Sequence, residues 1–154
     1  MVSVIDEELE IAKRQTLHFL SFRLRSVEEV RTFLGKKNHP PELIQKAVDE
    51  LAEHEFLDDR KFADWWAESR KKQGWGQVKI ENELKMKGVE KKIIRSVTAC
   101  DWKIIIQQEI GRYSGKFKGL AEREKNKKIR ETLARKGFTW NQIRQSFDDI
   151  TING

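Results

Sequence analysis

Basic side chains cluster in three short stretches of this 154-residue chain, and such clusters suit the binding of an anionic polymer. Several cations on one surface can each neutralise a phosphate and release its counterions, so they indicate contact with nucleic acid. The three stretches lie at 70–72, 85–92 and 123–130, and the third also contains Arg130. The candidate DNA-binding residues are Arg70, Lys71, Lys72, Trp75, Lys79, Lys85, Lys87, Lys91, Lys92, Arg123, Lys125, Lys127 and Lys128.

A solvated helix surface is the alternative interpretation of each single lysine, because glutamates are interleaved with these cations. Trp75 stands between two glycines, where it could stack on an unpaired base or pack into a seam between helices. We expect Trp102 and Trp140 to pack. Arg70, Lys71 and Lys72 are expected to be exposed helix cations that contribute little to folding.

The distribution of charge supports binding by the clusters taken together. The formal net charge is +6, but residues 1–59 hold eight Lys and Arg against 13 Asp and Glu, a net charge of −5. Residues 60–154 hold 23 against 12, a net charge of +11. This asymmetry predicts that the later part contacts a polyanion and that the first part contacts protein or solvent.

No pattern indicates catalysis, and we predict a protein that is not an enzyme and has no cofactor. The segment GRYSGK at 111–116 has too few residues between its glycines for a phosphate-binding loop, and GWGQVK at 74–79 lacks the third glycine of a dinucleotide fingerprint. Both are interpreted as turns. The three histidines and Cys100 lack the spacing of metal ligands. Asp58, Asp59 and Asp64 could hold magnesium, but helix capping explains the first two better.

The chain is predicted to be cytoplasmic, without contact with a membrane. A single cysteine forms no internal disulfide, which suits a reducing compartment. The first residues do not follow the pattern of a secretory signal, and the longest aliphatic run, at 104–106, is too short to cross a bilayer.

One pattern occurs three times and predicts the elements that carry these clusters. Each copy has a leucine, a β-branched residue four positions earlier, an Asn or Gly four positions later, and an isoleucine six positions after that. The leucines are Leu34, Leu84 and Leu133, and the residues that end the helix are Asn38, Gly88 and Gly137. The spacing predicts a helix, a tight left-handed turn and a second helix. A further helix precedes each pair, and Ser26 with Glu29 predicts a capping box.

The predicted fold is therefore all-α, an elongated array of three tandem three-helix, helix-turn-helix-like modules, in which neighbouring modules complete one another's cores. We place an N-terminal lead-in at 1–11, an acidic module at 12–59, basic modules at 60–101 and 102–150, and a tail at 151–154. A single compact bundle is the alternative.

The stretch at 56–89 resembles the central motif of the RecX family. The resemblance is carried by Leu57-Asp58-Asp59, Phe62-Ala63, Arg70, Gly74 and Gly76, Ile80, Glu83-Leu84 and Lys87-Gly88. It implies a helical modulator of the RecA recombinase that binds the RecA–single-stranded DNA filament and suppresses its extension, ATP hydrolysis and strand exchange. Lys79 stands where the family usually has arginine, and Asn38 replaces a glycine turn.

The partners expected from this resemblance are RecA, single-stranded DNA and, as a further candidate, double-stranded DNA, with the chain itself a monomer. Because the first module is acidic, Arg23, Arg25 and Arg31 are the candidate RecA-contacting residues. Two other hypotheses stay open, a sequence-independent DNA-binding protein that does not act through RecA and a protein-binding helical scaffold.

Overall fold

The structure is a computed structural model that describes residues 3–153, with side chains described through Asp149. Within that range the secondary structure consists of nine α-helices and no strand, which confirms the predicted all-α class. The helices are α1 (Val4–Leu20), α2 (Val27–Lys36), α3 (Pro41–Glu53), α4 (Asp59–Lys72), α5 (Gln77–Met86), α6 (Lys91–Thr98), α7 (Lys103–Lys116), α8 (Glu122–Arg135) and α9 (Trp140–Asn153). None of the described helices is long and apolar enough to cross a membrane.

The described residues form two compact units, each assembled from two stretches of chain. The first unit contains the described residues up to Trp65 together with Leu84–Ile94. The second unit contains Trp66–Glu83 together with the described residues from Arg95 onward. The boundaries of the three predicted modules stay a prediction, and Met1, Val2 and Gly154, in the predicted lead-in and tail, lie outside the described residues.

Helix α1 begins inside the predicted lead-in because Ser3 caps it. The Ser3 hydroxyl accepts a hydrogen bond from the Asp6 N–H, and the Asp6 carboxylate accepts one from the Ser3 N–H. The helix ends at Leu20, and Leu24, which is 42% exposed, lies beyond it. The core of the first unit consists of Leu9, Ala12, Val30, Leu34, Leu43, Ala47, Val48, Leu51 and Leu57.

The repeated turn has the conformation that the sequence pattern predicts. Asn38, Gly88 and Gly137 all have positive φ angles, of 66°, 75° and 98°. The three repeated leucines are fully buried, as are the β-branched residues one turn before them. Asparagine can replace glycine in the first copy because its short polar side chain tolerates the left-handed region better than most others.

Ser26 and Asp58 cap their helices as predicted, but Glu29 and Asp59 bind other partners. The Ser26 hydroxyl accepts a hydrogen bond from the Glu29 N–H, while the Glu29 carboxylate binds Arg23 and Lys87. Asp58 caps α4 by accepting from the Arg60 and Lys61 N–H groups. The Asp59 carboxylate accepts instead from the Val27 N–H, in the first turn of α2. It therefore joins two helices of the first unit.

Within the second unit, the first turn of α5 docks on the turn between α8 and α9. The Gly76 N–H donates to the Lys136 carbonyl over 2.8 Å, and the Val78 N–H donates to the Gly137 carbonyl over 2.9 Å. These bonds satisfy donors that a helix start leaves unpaired and bring together helix ends of opposite partial charge. Gly76 permits the approach, because a Cβ there would overlap the backbone of Gly137 and Phe138.

The two glycine-containing segments have different structures. GWGQVK enters α5 through a turn in which Gly74 has a φ of 80°, as expected. GRYSGK, interpreted as a turn, instead forms the last part of α7, so that expectation was wrong. Gly111 and Gly115 meet no neighbouring atom at the Cβ position, and the flanking residues supply enough helical contacts to outweigh glycine's low helix propensity.

We predict that Gly76→Ala lowers the free energy of unfolding by about 1–3 kcal/mol, because the methyl group separates α5 from the α8–α9 turn. Gly111→Ala is the matched control. It is exposed within α7 with open space around it, so the same change should stabilise the protein by about 0.5–1 kcal/mol. Denaturant unfolding followed by circular dichroism measures both. Equal effects of the two variants would contradict the docking argument.

Candidate nucleic-acid interface

Helix α8 presents a stripe of three exposed cations, Arg123, Lys127 and Arg130, which we call the α8 stripe. The intervals of four and three residues place them on one face of the helix. Arg123 and Lys127 form no ion pair with any described side chain, and the Arg130 guanidinium lies 4.4 Å from the centre of the Phe147 ring. The stripe spans about 10 Å along the helix axis, enough for more than one phosphate.

The other two basic candidates on α8 lie outside this stripe. Lys125 is half-buried and its ammonium group is 3.3 Å from the Glu122 carboxylate. Lys128 is exposed, with its ammonium group 5.9 Å from the Phe117 ring centre. Lys125 is therefore partly neutralised, whereas Lys128 keeps its full charge.

Arg70 and Lys71 are packed and paired, which corrects the expectation that they are simple surface cations. Arg70 donates to the Glu83 carboxylate over 2.8 Å and stacks on Trp66, whose indole N–H donates to the same oxygen. The Lys71 ammonium group donates to the Val97 carbonyl and pairs with Glu68. Acidic replacements here would disrupt these contacts, so a loss of DNA binding would not identify a DNA contact.

Four further candidates are exposed and form no ion pair with a described side chain. Lys72 ends α4, Lys85 lies near the end of α5, and Lys91 and Lys92 begin α6. A cation at a helix N-terminus opposes the helix dipole, so α6 gains no stability from Lys91 or Lys92. An anionic partner would remove that unfavourable interaction.

Trp75 is half-buried, and its ring lies among cations. The ammonium groups of Lys79 and Lys136 are 4.7 Å and 5.2 Å from its ring centre. Lys136 is itself buried and pairs with Glu109 over 2.8 Å. Lys79, the other candidate, lies 3.8 Å from Glu83. Base stacking by Trp75 stays a prediction.

Trp102 and Trp140, both expected to pack, differ from one another. Trp102 is buried and donates its indole N–H to the Thr98 carbonyl, which confirms the expected packing. Trp140 is 64% exposed at the start of α9, so the packing expected for it was wrong. The intervals of three and seven residues place Trp140 on the same face of α9 as the buried Ile143 and Phe147, but Trp140 is the first residue of the helix and lies at the end of that face.

In the first unit, the candidate RecA-contacting residues Arg23 and Arg25 line one open cavity with Lys87, a DNA-binding candidate. The Glu29 carboxylate accepts hydrogen bonds from two of these cations, Arg23 and Lys87. Arg23 binds this carboxylate through two bonds of 3.0 and 3.1 Å, and Lys87 binds it over 2.6 Å. Burial of Glu29 opposes its ionisation, but these hydrogen bonds outweigh that effect and hold the pKa of Glu29 below its usual value.

Arg31, the third candidate RecA contact, is exposed on α2, 3.9 Å from Glu28, and it donates to the Gln45 side chain.

Among the described residues, no group of three or more His, Cys, Asp and Glu could hold a metal ion.

Comparison with known proteins matches this helical arrangement to one family. Residues 12–51 match the model of the first three-helix domain of RecX, and residues 58–97 match that of its second three-helix domain. The regulatory protein RecX of Halorhodospira halophila is 30% identical over 139 residues, which are 88% of this chain and 85% of that protein. The chain belongs to the RecX family.

Other RecX proteins are longer than this chain. The regulatory protein RecX of Halalkalibacterium halodurans is 33% identical over 153 residues, which are 96% of this chain and 57% of that protein. The chain thus spans little more than half the length of the first curated relatives it matches. The crystal structure of RecX from Lactobacillus salivarius shares the fold, with a TM-score of 0.83, 18% identity, and coverage of 95% of this chain and 98% of that one.

Sequence reasoning missed the three glutamates that organise the basic residues. Glu29, Glu83 and Glu109 each bind two cationic or N–H donors. A carboxylate directly next to a buried core position along a helix is a signal that could have identified two of them. Glu29 lies one residue before the buried Val30, and Glu83 one residue before the buried Leu84.

Replacement of Glu29 by glutamine should destabilise the protein at pH 7 by about 1–3 kcal/mol, because hydrogen bonds to a charged acceptor are lost. The pKa of Glu29 is lower in the folded protein than in the unfolded chain. Ionised Glu29 therefore contributes fully to the free energy of unfolding above its unfolded pKa of about 4.3, and this contribution disappears as the pH falls through its folded pKa. The stability gap between the two proteins should therefore narrow as the pH falls below about 4.3, as measured by denaturant unfolding across a pH series.

Glu28→Gln is the control for this measurement, because Glu28 is the adjacent residue, is exposed, and lies 3.9 Å from its nearest cation. Its effect should be small and should vary little with pH. A Glu29→Gln gap that is constant from pH 7 to pH 3 would show that Arg23 and Lys87 do not hold this carboxylate ionised.

Proposed function

We propose that this chain modulates the RecA recombinase by binding in the groove of the RecA–single-stranded DNA filament and suppressing its extension, ATP hydrolysis and strand exchange. The observation that carries the proposal is the match to both three-helix domains of RecX, whose curated relatives are named regulatory proteins. The described residues supply surfaces for binding, and the proposed effect requires no covalent step.

The α8 stripe supports a DNA contact within that function. Its cations are exposed, lie on one helix face, and belong to the part of the chain with a net charge of +11. A row of such cations binds phosphates without reading base edges, which suits a filament on DNA of any sequence. Residues 1–59, with a net charge of −5, would be repelled by the same phosphates and are better suited to contact protein through Arg23, Arg25 and Arg31.

The α8 stripe should determine how DNA affinity depends on salt. Each phosphate contact contributes about −0.7 to the slope of log affinity against log salt for a single strand. Replacing Arg123, Lys127 and Arg130 by glutamine should therefore make the slope less negative by about 2 and weaken binding at low salt. Fluorescence anisotropy of a labelled oligothymidine at several salt concentrations measures this change.

The control variant removes three cations from the first compact unit, by replacing the exposed residues Arg14, Lys46 and Lys61 with glutamine. It changes the net charge by the same amount, and its slope should equal that of the unaltered protein. Equal slopes for the control and the stripe variant would contradict a localised DNA contact and would indicate an effect of net charge alone.

ATP hydrolysis by RecA on single-stranded DNA, with this protein titrated in, tests the action on the filament. Adding the protein to filaments that have already formed should lower the rate of hydrolysis, because the proposed site exists on the filament. A sequence-independent DNA-binding protein would lower the rate only when added before RecA, by competing for DNA. An unchanged rate on formed filaments, up to a molar excess of the protein, would refute the proposal.

A further inference from the structure

The open cavity in the first unit has a volume of about 360 Å³ and combines aromatic, apolar and cationic groups. It lies between the end of α1 and one face of α2, with residues 86–87 at its edge. The side chains that give it its chemistry are Phe19, Arg23, Arg25, Phe33, Lys36 and Met86.

The Arg25 guanidinium rests on an aromatic stack. The rings of Phe19 and Phe33 are nearly parallel, with centres 4.2 Å apart, and the Arg25 guanidinium carbon is 3.9 Å from the Phe19 ring centre. Its Nε donates to the Phe19 carbonyl over 3.4 Å. The aromatic face and this bond fix the plane of the guanidinium, while the N–H groups of its two terminal nitrogens bond no described residue.

Arg25 forms no ion pair with any described carboxylate. The nearby carboxylate of Glu29 is already bound by Arg23 and Lys87. Partial burial and the positive charge of Arg23 lower the pKa of Arg25, as expected for a cation whose counter-ion is missing. Lys36, the last residue of α2, is exposed and also forms no ion pair with a described side chain. The cavity therefore has two cations, Arg25 and Lys36, that form no ion pair with a described side chain.

Apolar surface lies beside these charges. Met86 is 86% exposed, and Phe33 is only half-buried although it belongs to the aromatic stack. Methionine is flexible and polarisable and adapts to ligands of different shape. A ligand that fits this cavity must carry both an anionic group and an apolar group.

We infer that this cavity binds an acidic peptide segment of a partner protein, with one carboxylate held by the two terminal nitrogens of Arg25, a second contact from Lys36, and a neighbouring apolar side chain against Met86 and Phe33. A planar guanidinium with paired free donors matches a carboxylate in this way. The inference refines the partner contact of the proposed function and depends on that proposal only for the identity of the partner.

Charge favours a peptide over nucleic acid as the occupant. Glu28 and Glu29 also line the cavity, and the net charge of residues 1–59 is −5. A nucleic-acid strand carries a phosphate at every nucleotide and would meet this acidic surface on both sides of the cavity. A peptide can place one carboxylate at Arg25 and present apolar groups to the surrounding surface.

A capped, fluorescein-labelled peptide that carries one glutamate among leucine and serine residues tests the inference by fluorescence anisotropy. It should bind with a dissociation constant below about 1 mM, and its counterpart with glutamine in place of the glutamate should bind at least tenfold more weakly. Arg25→Gln and, separately, Lys36→Gln should each weaken binding of the acidic peptide. Arg14→Gln, which removes an exposed arginine of the same unit outside the cavity, should leave it unchanged.

Circular dichroism reports whether each variant is folded. If Arg25→Gln unfolds the protein, Lys36→Gln still tests the inference, because it changes only an exposed side chain. No binding of the acidic peptide up to about 1 mM, or equal weakening by Arg14→Gln and Lys36→Gln, would overturn the inference. So would a labelled oligothymidine whose binding depends on Arg25, because the cavity would then hold nucleic acid. The peptide-binding assay contains no RecA. Its outcome therefore does not depend on whether the protein inhibits RecA in the filament assay.

Discussion

The close approach of Gly76 to the turn between α8 and α9 is the constraint on which the second unit depends. Two backbone hydrogen bonds join the start of α5 to the carbonyls of Lys136 and Gly137, and they form only where neither backbone carries a side chain in the gap. The ammonium group of Lys136 then lies inside the unit, where Glu109 neutralises it and the Gln73 carbonyl accepts a further bond. Trp75 covers this pair. An ion pair in such a place adds little net stability, but breaking it would leave a buried charge, so it favours one arrangement of these helices.

Carboxylates decide which basic residues are available to a partner. Arg23, Arg70 and Lys87 are bound to half-buried glutamates of the same unit, which restrict their movement. Arg123 and Lys127 have no such partner among the described side chains and keep both their charge and their freedom of movement. A count of lysines and arginines therefore overstates the binding surface, because part of the positive charge is used to hold helices together.

The helices and their turns could be predicted from the sequence because local physics determines them. The nine residues from Val30 through Leu34 to Asn38 predict a buried helix face and a left-handed residue at its end. The structure confirms both. Long-range pairings could not be predicted in this way. The bond between Lys87 and Glu29 joins residues 58 positions apart, and no local pattern distinguishes a lysine with that partner from an exposed one. The same limit applies to Trp140, whose exposure depends on where α9 packs.

Neither compact unit is a continuous piece of chain, and this affects the order in which the protein can fold. The first unit includes Leu84–Ile94, so the unit is not complete when residue 65 leaves the ribosome. Helices α1 to α3 can associate early, because their contacts are local, but they must wait for about 30 more residues before the last part of the unit arrives. The intervening stretch, Trp66–Glu83, belongs to a unit whose other residues are synthesised later still. Synthesis therefore couples the folding of the two units, and a chain cut at either end of that stretch would leave both of them incomplete.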